Sequence, residues 1–379
     1  MYHKEIKDLV FMNKKFLIIL ILCVLCGNAF AQTKFLWKAG LHNFFDNNEF
    51  SGSAYQISQT MTGTHIAPQV GVGFLGKHKI LVGADLMHEW GSRKIIDFAD
   101  IIAYYHFDNQ PFRFYAGLIP RKDVLEKYPK MFFQDSIQNY RPTITGVFWE
   151  FYKDNNYLNV WLDWTSRQTD VYREKFFMGW SGRYNFWYFY AQHFGYMFHH
   201  AGNTNPQMHT PVNDNGLILT SLGVDFAKKA NFDKLETNVG WSVGLERDRS
   251  AGNGWRTPQG LLWETQVEFR GLELFNSFYA GKGQQVFYNQ FGNELYWGDK
   301  IYRSNLYDRL DLKIHFFKSS VVNVNFTYSF HFLEKKVYSQ QMLVATFDLD
   351  NFTDRKNEKK YRYLWDGWFK KLRKESNSN

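Results

Sequence analysis

The sequence predicts an all-β protein: a transmembrane antiparallel β-barrel of about sixteen strands (14–18), closed by its own hydrogen bonds and followed by a short C-terminal amphipathic helix. Three observations carry that prediction. Apolar and polar residues alternate strictly along nearly the whole chain after residue 33. Connections between the alternating segments are short and long by turns. Aromatic residues make up 19% of the chain (37 Phe, 23 Tyr, 13 Trp), yet no stretch beyond the leader is an unbroken apolar run of helix-spanning length. A barrel needs this composition, because rings girdle both membrane interfaces while every second residue faces water.

The first element is a leader over residues 1–31, with its start better placed at Met12. Asn13-Lys14-Lys15 form a charged region, Phe16 to Cys26 a short apolar stretch, and Ala29-Phe30-Ala31 a small-x-small site, which places cleavage before Gln32. The apolar stretch is short for a retained anchor. A lipoprotein would want a small residue before its modified cysteine, and Leu25 stands before Cys26. Both cysteines, Cys23 and Cys26, fall in the removed segment. The remaining chain has no thiol, and a hydrogen-bonded barrel needs none.

Residues 32–350 are read as the barrel. In 64–74, Ile66, Pro68, Val70, Val72 and Phe74 share one face, and His65, Ala67, Gln69, Gly71 and Gly73 the other. After Gly76-Lys77-His78 the pattern resumes, with Ile80, Val82, Ala84 and Leu86 opposite Gly83, Asp85 and Glu89, so the two segments form a hairpin. The strands expected are 34–45, 64–74, 79–89, 99–107, 112–118, 144–152, 157–165 and 176–184 in the first half. In the second half they are 187–198, 217–227, 234–245, 261–269, 273–280, 306–316, 321–332 and 337–349. Most have the length that a tilted strand needs to cross the hydrocarbon. Short links such as 108–111, 153–156 and 228–233 alternate with long ones at 46–63, 119–143, 166–175, 199–216, 246–260 and 281–305. Short turns inside and long loops outside are the rule for barrels of the outer membrane, which puts both termini in the periplasm. A soluble β-sandwich or propeller also alternates, but does not account for short and long connections taking turns.

The formal charge of +8 is spread along the chain rather than gathered on one face, so no nucleic-acid partner is expected. No cofactor or metal is expected either, since His199, His200 and His209 lack regular ligand spacing. On the lumen side, charges of both signs recur. The residues expected to line or constrict the lumen are Arg113, Arg121, Lys122, Trp161, Asp163, Arg183, His193, Glu264, Arg309 and Asp311. Such a wall sets ion preference and orients polar solutes, or else its charges pair across and fill the lumen. Trp161 with Asp163 and Arg183 would make an aromatic platform beside hydrogen-bonding groups, suited to sugar rings.

In strand count and loop order the chain resembles outer-membrane porins, and its aromatic-rich style is similar to barrels of the Bacteroidota. The resemblance rests on the third outward connection, 119–143, which in general porins folds inward and constricts the channel; it implies the same role here. This loop is basic, with Arg121, Lys122, Lys127, Lys130 and Arg141 against Asp123, Glu126 and Asp135, which argues against cation preference. The chain also lacks the final aromatic residue that porins commonly carry.

The function expected is a porin-like channel for small polar solutes, including oligosaccharides. One alternative is a non-conducting barrel in a surface assembly, secretion or uptake complex, where the aromatic loop 285–297 meets a surface lipoprotein or folds over the mouth; a homo-oligomer is another partner considered. The second is a barrel hydrolase, for which Ser166 with Asp170 shows no supporting spacing. Residues 351–379 break the period of two: Tyr361, Leu364, Trp365, Trp368, Phe369 and Leu372 recur at helical spacing among Arg362, Asp366, Lys370, Lys371, Arg373 and Lys374. This tail is expected to lie as a basic amphipathic helix on the periplasmic leaflet or barrel rim, among lipid phosphates.

Overall fold

The computed structural model describes residues 33–366 apart from 206, 208, 209, 253 and 357, so the leader, His209 and the end of the tail lie outside the described residues. Sixteen strands follow one another round a closed antiparallel barrel. They are β1 (Lys34–Glu49), β2 (Gln59–Phe74), β3 (His78–Glu89), β4 (Phe98–Asn109), β5 (Phe112–Pro120), β6 (Thr143–Lys153), β7 (Asn156–Ser166) and β8 (Lys175–Phe186), then β9 (Phe189–His200), β10 (Asn213–Asp225), β11 (Lys234–Asp248), β12 (Gln259–Phe269), β13 (Leu272–Gly281), β14 (Leu306–Lys318), β15 (Val322–Leu333) and β16 (Lys336–Asp350). The seam joins β1 to β16 from Lys38 opposite Asp350 to Glu49 opposite Ser339, so the sheet has no free edge.

The period of two resolves into two walls. On β2 and β3 the outer wall shows Ile66, Val70, Val72, Ile80 and Val82 to the surroundings, while His65, Gln69, Leu81 and Asp85 are buried inside. Exposed rings gather toward both ends of the outer wall, with Trp90, Trp164 and Trp255 near the long connections and Phe35, Phe112, Phe186, Trp187 and Phe189 near the short ones. These are the aromatic belts of a membrane-spanning barrel. Short links turn through left-handed backbone, as at Leu75-Gly76 (φ 53° and 68°) and Arg270-Gly271 (φ 50° and 87°).

Several strands run further toward the long-connection end than hydropathy marks. β1 ends at Glu49 rather than residue 45, β2 begins at Gln59 rather than Thr64, and β10 begins at Asn213 rather than Leu217. Apolar alternation stops where lipid contact stops, but the ladder of backbone hydrogen bonds does not. Polar pairs continue it: the Thr60 hydroxyl donates to Asn47 (2.6 Å) and Thr64 to Asn43 (2.7 Å).

Two long connections enter the barrel instead of standing above it. The first, residues 121–142, ends in helix α1 (Asp135–Tyr140). The second spans 282–305. They are tied to one another by main-chain bonds from Gln134 N–H to the Trp297 carbonyl (2.9 Å) and from Asp299 N–H to the Lys130 carbonyl (2.9 Å). Met131, Phe132, Phe133, Leu295, Tyr296 and Trp297 bury themselves against the inward rings Trp161, Phe177, Phe194, Tyr196 and Phe198, making one continuous core. The long-connection half of the lumen is therefore packed like a protein interior.

After β16 the chain follows the short-connection rim. The Tyr363 hydroxyl accepts from Lys318 N–H (2.7 Å), and Lys359 pairs with Asp233 (2.8 Å). Among the described residues of the tail, 351–365 are bends, turns and irregular backbone and Asp366 is helical; the rest of the amphipathic helix expected there, 367–379, lies outside the described residues.

Candidate functional site

Arg121, the first residue of the inward loop, is 1% exposed, and its guanidinium lies 2.6 Å from Asp163 on β7. It also donates to the carbonyls of Arg141 (2.7 Å) and Thr143 (3.1 Å), while Asp163 accepts from Thr145 N–H (2.9 Å). A single buried ion pair thus ties both ends of the loop to the wall, and the rings of Trp297 (5.3 Å) and Phe133 (5.9 Å) face the guanidinium. Trp161 lies on the inner wall, but as part of this anchor. Its indole N–H donates to the Tyr128 hydroxyl (2.7 Å) and it is buried. The platform of Trp161, Asp163 and Arg183 does not form, because loop packing covers the first two and Arg183 stands elsewhere.

Arg183 belongs to a cavity of about 920 Å3 on the short-connection side of the plug. Around it stand Arg113, Glu150, Arg183, Glu236 and Glu264 from the wall and Lys127, Lys130 and Asp135 from the inward loop. The charges form local pairs: Arg183 with Glu236 (2.9 Å) and Arg113 with Glu150 (3.5 Å). Rings back the cations, with Tyr190 3.7 Å from Arg183 and Tyr152 4.7 Å from Arg113. Lys130, Asp135, Gln138, Gln266 and Phe275 also border a second space of about 360 Å3, which reaches Asp46, Glu273, Asp311 and Lys313. The cavity wall therefore carries paired charges of both signs, with its arginines stacked on tyrosine rings.

Arg309 and Asp311 face inward on β14, bonded to each other at 2.7 Å and buried. Arg309 also approaches Asp135 of α1 at 3.8 Å. Burial alone would raise the Asp135 carboxyl, yet Lys130 and Arg309 hold it down to about 2. This charge cluster fastens the far side of the loop. Lys122 pairs with Asp348 (2.6 Å) and is more exposed.

His193, expected in the lumen, is on the outer wall instead. It accepts from the Trp180 indole (2.9 Å) and meets the Thr220 hydroxyl (2.8 Å). The inversion has a physical cause: the inner face of β9 carries Phe194, Tyr196 and Phe198, which pack on the plug, so polarity no longer distinguishes inside from outside. The inward course of the second loop was not read from the sequence, where its rings fitted a surface for a partner or a lid over the mouth.

The fold and the inward loops define a porin-type barrel. At low identity its shape matches OccK11 (OpdR) of Pseudomonas aeruginosa, with a TM-score of 0.50, 9% identity and coverage of 84% of this chain and 96% of that one. A loop L8 deletion mutant of OmpT, an outer membrane protein of Vibrio cholerae, matches with a TM-score of 0.50 and 8% identity over 84% of this chain and 100% of that one. No curated protein matches the sequence significantly. The family model described as lipid A 3'-O-deacylase-type matches residues 31–356, and the chain belongs to that family.

Proposed function

We propose that the protein is an outer-membrane barrel that admits small polar solutes, oligosaccharides among them, through a lumen whose outer half is closed by two inward loops. The 920 Å3 cavity carries this reading. A barrel acting only on its outer wall has no use for a large interior space lined by Arg–Glu pairs and tyrosine faces. Solute would meet the paired charges of Arg113 and Arg183 below the plug, and the loops would set when the path is open. The leader ending at Ala31 would direct the chain to export, the long connections would face outward, and the tail would rest on the periplasmic side. Liposome swelling and single-channel current with the purified protein test it. Conductance that grows when residues 285–297 are shortened supports a gated channel; a barrel that stays silent with both loops shortened is no channel.

A second reading has its own support. Membership of the lipid A 3'-O-deacylase-type family favours ester hydrolysis on a lipid at the outer wall. The outward-facing His199–Asp214 pair (3.4 Å), with Arg249 2.7 Å from the same carboxylate, stands near the long-connection rim where such a lipid would lie. Mass spectra of lipid A from a host making the protein would show loss of one acyl chain under this reading and an unchanged lipid under the first.

A further inference from the structure

Near the short-connection end of the lumen, three strands bring together residues that lie far apart in sequence. Glu268 on β12 pairs in register with Glu273 on β13, Glu273 pairs with Lys313 on β14, and His315 is the next inward residue of β14. One donor atom from each of Glu268, Glu273 and His315 lies within 4.8 Å of the other two, and all three side chains are buried. We propose that Glu268, Glu273 and His315 form a binding site for a divalent transition-metal ion, with zinc the best match.

The outer contacts orient the donors. Lys318 Nζ lies 2.5 Å from Glu268 Oε1, and Gln266 Nε2 lies 2.6 Å from Glu273 Oε1, with Lys313 Nζ at 3.5 Å from that same oxygen. Glu268 is thus held by one oxygen and offers the other, while Glu273 is held by one oxygen and turns the other toward His315. Glu273 Oε2 is 2.7 Å from His315 Nε2, while Glu268 Oε2 and His315 Nδ1 are buried without any partner. A buried acceptor that has lost water and gained no donor is costly, and a cation at the convergence removes that cost. Fixing of ligands by neighbouring polar groups is also how protein metal sites are held.

Donor chemistry selects the ion. Two carboxylate oxygens with one imidazole nitrogen suit zinc and its first-row neighbours, whereas calcium and magnesium take oxygen ligands throughout and copper(I) prefers sulfur. Lys313 and Lys318 offset the two glutamates, so the site is a reversible one. Entry is from the lumen: Glu273 and Lys313 border the 360 Å3 space, while on the other side Tyr363 and the Tyr361 ring, 4.8 Å from Lys318 Nζ, close over the lysine. The site does not depend on which reading of the lumen is correct.

The test is a titration of the full-length, chelator-stripped barrel with Zn2+ by calorimetry and with Co2+ by visible absorption. The expected result is one equivalent bound per chain, d–d bands in the Co2+ spectrum, and affinity at least about tenfold weaker in both Glu268→Gln and His315→Ala. Both variants are first shown to run as folded barrels on unheated gels. Absence of saturable binding overturns the proposal, and so does binding of equal strength in the native chain and both folded variants.

Discussion

Replacing Asp163 with alanine should release the inward loop. The substitution leaves the Arg121 guanidinium almost fully buried with two backbone carbonyls as acceptors and no counter-charge. Breaking a buried pair from one side costs about 3–5 kcal/mol, mostly because the surviving charge stays desolvated. Arg121 keeps part of its hydrogen bonding, so the low end, about 3 kcal/mol, applies, which is on the order of 100-fold in the ratio of open to closed loop. The assay is tryptic cleavage after Lys127 and Lys130 in reconstituted protein, whose rate follows the open population when closing outruns cutting. The double variant Arg121→Met with Asp163→Leu removes both charges and keeps bulk, and should restore most of the protection. Should the single variant be cut no faster than the native chain, or the double variant as fast as the single, the ion pair is not what anchors the loop.

Three further outcomes are expected. A Cβ on Gly179 would lie 2.1 Å from Trp161 Cζ2, and the indole is held by Tyr128, so Gly179→Ala should cost about 1–3 kcal/mol in the heat-modifiability midpoint and Trp161→Phe should relieve part of it. The Asp135 carboxyl is held below its ordinary 3.8, so its grip on the loop is complete above that pH and is lost as pH falls to about 2. Peptic cleavage at Phe132-Phe133 should accelerate across that window, whereas Asp135→Asn should be cut at one rate throughout it. In the channel reading, Arg183→Glu reverses a cavity charge and should raise cation over anion permeability by about 1 kcal/mol, roughly fivefold, measured as a reversal-potential shift.

Sequence revealed the parts of this fold where one wall meets lipid and the other water. β2 and β3 are the clearest case, since Ile66, Val70, Ile80 and Val82 alternate with His65, Gln69 and Asp85. The inward course of 121–142 was legible only by its place between the fifth and sixth strands. Hydropathy failed where the lumen ceased to be wet: β9 carries rings inward and His193 outward, an inversion that follows from the plug rather than from the strand. Trp161 was assigned to the correct wall, but a partner 33 residues away in the loop, Tyr128, decided that it braces the loop instead of receiving a sugar. The carboxylate pair of the β12–β13 hairpin had a readable signal, two glutamates flanking Phe269-Arg270-Gly271-Leu272. Its completion by His315 depends on the β13–β14 register, which hydropathy does not encode.

The bonds from Gln134 to Trp297 and from Asp299 to Lys130 have a kinetic consequence. Because the plug's two halves share main-chain hydrogen bonds and one apolar core, neither can leave without stripping the other of partners. Any passage through this barrel should therefore begin in all-or-none steps, with current switching between discrete levels instead of rising smoothly with load.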